Sequence, residues 1–235
     1  MARTGFGKSL IFYIYSILTG KITLQIIPLN KLGDEQLHDI KKLYGSNPCL
    51  LNSQTKEPEL LPRITAGEFT HVLLGPEQAS SEGFRKAIKD TGLSGRIGLV
   101  TIDECYLVKQ WGEKFRQAYS TLHTLRSILP HKVVWFGCIT TLDKDTEEAI
   151  LYYAGFRQLS NNLYETEILR TSINRTDLSL CICPIPRKQL TKWDRLFFLL
   201  DSATRPQGAA TPEQIPKTIV FIDSIMKNRE LATWF

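Results

Sequence analysis

Met1-Ala-Arg-Thr-Gly-Phe-Gly-Lys-Ser-Leu10 opens the chain, and the fold turns on how this stretch is read. From Ala2 the pattern is A-x-x-x-x-G-K-S, a phosphate-loop signature with Ala in place of its first Gly. Gly5 and Gly7 free the backbone to bend, so that its N–H groups can converge on phosphate oxygens. Thr4, Gly5, Phe6 and Gly7 then form the cradle. Lys8 reaches the β- and γ-phosphates, and the Ser9 hydroxyl sits on Mg²⁺. The apolar run 10–18 reads as a buried helix whose N-terminal dipole favours an anion. The stretch has a second reading, because Arg3 and Lys8 ahead of an apolar run also suit a secretory leader. Thr19-Gly20-Lys21, however, leads straight into another apolar run with no small-x-small cleavage site.

Working outward, strand-like and helix-like segments alternate. Residues 22–27 are β-branched and end at Pro28, a strand pattern. Residues 32–44 read as an amphipathic helix, and 45–67, rich in Ser, Asn, Pro and Thr, as a loop with a short strand at 49–51. A strand at 70–74 stops at Gly75-Pro76, a helix follows over 80–89, and a buried strand at 98–102 ends on Asp103-Glu104. A helix is expected over 113–129, a strand over 132–136, and a helix over 143–153 capped by Thr141 or Asp143. Such alternation predicts an α/β fold with a mostly parallel sheet covered on both faces. Ligands bind such sheets at the carboxyl ends of the strands, where the loop and Asp103-Glu104 would meet.

Past Gly155 the character changes. A strand at 178–182, a helix at 188–200, a strand at 218–222 and a final helix suggest the start of a second domain. The expected division is 1–160 for the first domain, 161–187 for a linker and crossover, and 188–235 for the second.

The 235 residues are 43% hydrophobic and 23% charged, which suits a globular chain, and the net charge of +5 permits a polyanionic partner without demanding one. Five scattered cysteines and four dispersed histidines fall at no metal-ligand spacing, so no zinc site is expected. They fit a reducing compartment without a disulfide framework. No apolar run is long enough to cross a bilayer.

A triphosphate loop needs an acidic strand end. Val100-Thr-Ile-Asp103-Glu104 supplies one, with Asp103 facing Mg²⁺ and Glu104 the attacking water. Asp103-Glu-Cys-Tyr-Leu-Val-Lys-Gln-Trp-Gly-Glu-Lys-Phe-Arg116 resembles the hydrolysis motif of RecQ-type DNA helicases with its aromatic-rich loop attached. The family's Gln-Trp-Gly, Phe-Arg and Tyr fall here at Gln110-Trp111-Gly112, Phe115-Arg116 and Tyr119. Other stretches follow in the family's order. Thr4 to Ser9 resembles motif I. Ile27-Pro28-Leu29 with Asp34-Glu35-Gln36 resembles motif Ia, and Gly75-Pro76-Glu77 motif Ib. Cys138-Ile-Thr-Thr141 stands at motif III, Ile173 to Leu178 at the entry to the second motor domain, and Ile219-Val-Phe221 at motif IV.

The resemblance implies a P-loop, RecA-like motor of superfamily 2 with DEAH-like motifs. Such a motor uses ATP and Mg²⁺ and moves 3′→5′ on single-stranded or forked DNA in the nucleus. Lys8, Asp103 and Glu104 would be its catalytic residues, and Ser9 and Asp103 its Mg²⁺ ligands. Trp111, Phe115, Arg116 and Lys109 would meet the DNA. A Trp can stack on an unpaired base, worth ~1–3 kcal/mol, and the cations can meet phosphates. Spacing alone would make Trp111 and Phe115 core residues of a helix.

Two positions depart from the family. Tyr106 stands where it usually has His, and Ile139 where it has Ser or Thr, both on the relay between motifs II and III. The resemblance also implies a strand and an adenine-reading Gln motif ahead of Met1, and motifs V and VI past Phe235. The expectation is therefore a motor fragment truncated at both ends, unable to unwind DNA alone. Without its arginine finger, such a site loses ~10³–10⁵ in rate. The alternative is a catalytically inactive remnant that only binds nucleic acid or a partner.

Overall fold

The structure is a computed structural model describing residues 1–3, 5–52, 60–90, 92–112, 116–140, 143–156, 158–159, 163–164, 166–174, 176, 219–221 and 224–234. The chain forms two compact units, Met1–Arg175 and Thr176–Phe235.

In the first unit the chain runs α1 (Lys8–Thr19), β1 (Ile22–Ile26), α2 (Asn30–Lys41), β2 (Pro48–Leu51), α3 (Leu60–Ala66), β3 (His71–Leu74), α4 (Pro76–Ser80) and α5 (Glu82–Asp90). It continues with α6 (Leu93–Arg96), β4 (Ile97–Ile102), α7 (Leu107–Gly112), a 3₁₀ helix (Gln117–Ser127), β5 (Val134–Gly137) and α8 (Lys144–Tyr153). A short antiparallel pair, β6 (Gln158–Leu159) and β7 (Leu163–Tyr164), follows.

The five main strands form one sheet in the order β2-β3-β1-β4-β5, and every pairing is parallel. Parallel strands need crossover connections, and the helices between them supply these. All five residues of β1 are buried. Ile22, Leu24 and Ile26 join the larger core with Val72, Leu74, Val100, Ile102, Tyr119 and Leu122. On the opposite face smaller clusters form around Phe12 with Leu99 and Cys138, and around Ile40 with Leu50 and Leu73. Both faces are thus covered. At ~25 cal/mol per Å² of apolar surface, these cores carry most of the stabilisation.

Helix ends follow local chemistry. Gly20 closes α1 in the left-handed region (φ 67), donating its N–H to Ser16 O at 2.9 Å. Asp143 caps α8 by accepting from Thr146 N at 2.9 Å. Gly75-Pro76 ends β3 as expected, and Pro76 also starts α4, because the first helical position tolerates a missing N–H. The expected helix at 80–89 is α5, and α4 is an additional short helix ahead of it. The expected loop at 45–67 contains α3, which buries Leu60 and Ile64, one turn apart.

The expected helix at 113–129 is a 3₁₀ helix from Gln117, with residues 113–115 outside the described set. Its hydroxyls explain the tighter winding. Ser120, Thr121, Thr124 and Ser127 each donate to the carbonyl three residues back.

In the second unit the final helix, α9 (Ile225–Trp234), stands where a helix was expected. Residues 219–221 form no strand. The expected strand at 178–182 and helix at 188–200 lie outside the described residues.

Candidate active site

The carboxyl ends of the strands bring the sequence-selected residues together. Ala2 N donates to Ile139 O at 3.1 Å just past β5, which seats the loop beside the end of the sheet. Gly5 (φ 80) and Gly7 (φ 85) take left-handed backbone, and Gly7 is the residue ahead of α1. A side chain there would strain the turn that aims the first N–H groups of α1 into the loop. Lys8 Nζ donates to Ala2 O at 2.9 Å and to Arg3 O at 3.0 Å, so the ammonium lies across the mouth of the loop. The Ser9 side chain lies near that of Tyr13 one turn on. Burial and the charges of Asp39 and Asp103 push the Tyr13 phenol above its ordinary range, while Ser9 acts to lower it. Thr4 lies outside the described residues.

Asp103 is 9% exposed, and both its oxygens are held. Oδ1 accepts from Glu104 N at 2.9 Å and lies 2.9 Å from the Cys138 thiol, while Oδ2 accepts from Gln36 Nε2 at 2.8 Å. Glu104, half-buried, has φ 48, a left-handed conformation rare for a side-chain-bearing residue and often met at functional sites. Burial raises its carboxyl pKa and the Asp103 charge adds to that, while Lys8 opposes both. Tyr106 is half-buried beside Glu104, and burial and that carboxylate both raise its phenol.

Among the described residues no group of three or more His, Cys, Asp or Glu side chains could hold a metal ion. Mg²⁺ takes one or two carboxylates and completes its shell with water and substrate phosphates. Asp103 and Ser9 offer the hard oxygen donors it needs.

The DNA-facing candidates fare differently. Lys109 lies on α7, with Nζ 3.5 Å from Thr146 Oγ1. Trp111 belongs to the α7 backbone, and Phe115 lies outside the described residues. Arg116, expected to meet phosphate, forms a clamp in this structure. Its Nε and Nη2 donate to Glu77 Oε1 and Oε2 at 2.8 and 2.6 Å, Nη1 donates to Pro28 O, and the guanidinium lies 5.6 Å from the Tyr119 ring centroid. It ties the end of the aromatic-rich stretch to the turns after β1 and β3. Expecting free charge there overlooked Glu77, which lies 39 residues away in sequence.

The motif III contact is also one residue earlier than expected. Cys138 reaches Asp103, while Ile139 is buried in the apolar core. The two residues lie just past β5, and their side chains join apolar clusters on opposite faces of the sheet. Gln25 and Gln36 behind Asp103 were missed as site residues. The available signal was a glutamine in the middle of an otherwise apolar strand.

A groove of about 700 Å³ runs along the open edge of β5, lined in part by Met1, Phe6, Lys8, Trp135 and Phe136. Asp103 and Glu104 do not line it.

A parallel sheet with a glycine loop, an adjacent lysine and an acidic strand end at its carboxyl edge defines a P-loop protein of the RecA-like α/β class. The chain belongs to the DEAD/DEAH box helicase family, which matches residues 1–150. It is 28% identical over 176 residues to the ATP-dependent DNA helicase RecQ of Pasteurella multocida, covering 74% of this chain and 27% of that protein. It is 32% identical over 127 residues to the mouse bifunctional 3′-5′ exonuclease/ATP-dependent helicase WRN, covering 54% of this chain and 9% of that protein. The chain therefore spans about a quarter or less of these relatives. The solved DUF1998 helicase MrfA, bound to DNA and AMPPNP, shares the fold, with a TM-score of 0.52, 16% identity and coverage of 69% of this chain and 24% of that one. No helix among the described residues is long and apolar enough to cross a membrane.

Proposed function

We propose that the first unit is the ATP-binding lobe of a RecQ-type DNA helicase motor, and that 188–235 begins its second lobe after a crossover at 161–187. The observation that carries this reading is that the left-handed Gly5–Gly7 turn ahead of α1 and the hydrogen-bonded Asp103 just past β4 lie at the carboxyl edge of one parallel sheet. Lys8 exchanges the Ala2 and Arg3 carbonyls for phosphate oxygens, and the left-handed loop presents N–H groups to the same anion. Ser9 and Asp103 would hold Mg²⁺, which would supply neutralising charge to the phosphates. Glu104 takes the proton of the attacking water.

The aromatic-rich stretch from Trp111 to Arg116 reports single-stranded DNA to this site, with Trp111 and Phe115 stacking on bases and Lys109 on the backbone side. Movement is 3′→5′ on single-stranded or forked DNA. A nuclear location belongs to this reading through the resemblance to RecQ-type DNA helicases.

Saturable binding of a fluorescent ATP analogue with Mg²⁺, lost in Lys8→Ala and enhanced by single-stranded DNA, is the expected result. A folded protein that binds none of the analogue would refute the proposal. The second reading is an inactive member that only binds nucleic acid or a partner. It draws on Tyr106 and on the engaged state of Arg116. Nucleotide turnover abolished by Glu104→Gln excludes it.

A further inference from the structure

The sheet face under α2 carries polar side chains where packing alone would place apolar ones. Gln25, fully buried in β1, donates from Nε2 to Gln36 Oε1, and Gln36 Nε2 donates to Asp103 Oδ2 at 2.8 Å. The direction of this chain is not arbitrary. An ionised carboxylate only accepts, so the Gln36 amide must turn its nitrogen to Asp103. Its oxygen must then accept from Gln25, which leaves Gln25 Oε1 at the far end.

That atom is buried without a hydrogen-bond partner, as is Thr101 Oγ1, whose residue pairs with Gln25 in the β1–β4 register. Unmatched buried polar atoms cost stability, and apolar side chains here would avoid the cost. What the arrangement achieves is a fixed Asp103. Of about four acceptor positions on a carboxylate, Glu104 N, the Cys138 thiol and Gln36 take three, leaving one free.

We propose that Gln36, held by Gln25, is the positioning residue of Asp103, and that this amide pair sets how strongly the site takes the divalent cation of a nucleoside triphosphate. The inference rests on the ATP-site reading above. Outer-shell hydrogen bonds of this kind orient a ligand so that its remaining lone pair meets the metal.

Two measurements on the full chain test it. The first needs no nucleotide. In ¹⁵N spectra the Gln36 side-chain amide protons exchange slowly in the wild type, and more quickly in Gln25→Met. Fast exchange in the wild type overturns the relay itself.

The second titrates Mg²⁺ at a fixed concentration of fluorescent ATP analogue. Gln36→Met is expected to raise the half-saturating Mg²⁺ by about tenfold. Analogue binding in EDTA should stay near wild type, and Gln25→Met should shift the Mg²⁺ requirement in the same direction by less. A merely structural role would weaken binding with and without Mg²⁺ alike. That outcome, or an unchanged Mg²⁺ requirement in a folded Gln36→Met, overturns the proposal. If the wild type binds no analogue, the ATP-site reading fails and takes the cation role with it, while the exchange measurement still shows whether Gln36 holds Asp103.

Discussion

Arg116 and Glu77 meet in a two-pronged ion pair, Nε to Oε1 at 2.8 Å and Nη2 to Oε2 at 2.6 Å. The pair joins the end of the aromatic-rich stretch to the turn after β3. Glu77's side chain is 48% exposed, so solvent screens the pair, and even with two-pronged geometry it is worth no more than ~1 kcal/mol. Glu77→Ala should lower the Tm by about 2–4 °C at low salt, with the difference shrinking in 1 M salt.

The same pair sets a pH dependence. Burial pushes the Glu77 carboxyl up, but the hydrogen bonds and charge of Arg116 outweigh it and leave the pKa below its ordinary value. A depressed carboxylate contributes stability above its unfolded pKa and loses it as pH falls through the folded value. Thermal scans should therefore show wild type and Glu77→Ala converging in acid, below the usual carboxylate range. A difference that persists there would assign the effect to packing instead.

Glu104 has the opposite sign. Burial, with Asp103, raises its carboxyl, so its charged form opposes folding once pH exceeds the unfolded value. Glu104→Gln removes that charge and should raise the Tm at neutral pH. As the base for water, Glu104 should also be worth ~10²–10⁴ in turnover. More stability with less activity in one variant is the expected pairing, read by thermal denaturation beside an ATPase assay. A destabilised Glu104→Gln would show that the carboxylate makes a structural bond that its neutral isostere cannot replace.

Cys138 reaches Asp103 with its thiol, 2.9 Å from Oδ1. Burial and then the Asp103 charge raise the thiol well above its ordinary pKa, so it stays protonated and serves as a donor. Burial also lifts the Cys49 and Cys105 thiols to about 12. All three should resist alkylation at neutral pH in the folded protein and react on unfolding, as read by site-resolved mass spectrometry. Cys138→Ser keeps a donor and should retain nucleotide binding. Cys138→Val leaves Oδ1 short of one partner and should cost ~1 kcal/mol in denaturant unfolding.

The parallel sheet and its functional edge were legible because strand periodicity and turn residues are local signals. β1, β4 and α8 lie within a residue or so of their expected limits, and Asp103-Glu104 falls at the end of a buried strand, as expected. Features that depend on distant partners were not legible. Nothing near Arg116 announces Glu77, and nothing near Asp103 announces Gln36, 67 residues away. Local chemistry also misled in two places. The polar 45–67 stretch looked like a loop but contains α3, and the hydroxyl-rich 117–127 run winds as a 3₁₀ helix through side-chain bonds that periodicity does not register.

Lys8 closes its own loop through Ala2 O and Arg3 O, so without a ligand these two carbonyl oxygens stand in for the phosphate oxygens that the ammonium would bind. Lys8→Met keeps most of the aliphatic stem and removes both bonds. Amide hydrogen exchange at residues 5–9 should therefore rise in unliganded Lys8→Met, because the loop loses its clasp. In the wild type the same amides should slow when an ATP analogue and Mg²⁺ are added, since charge-assisted bonds to phosphate replace bonds to neutral carbonyls. The variant should show no such slowing. If unliganded Lys8→Met exchanged at the wild-type rate, the loop would owe its shape to the glycine backbone alone. The role of Lys8 would then begin only when phosphate arrives.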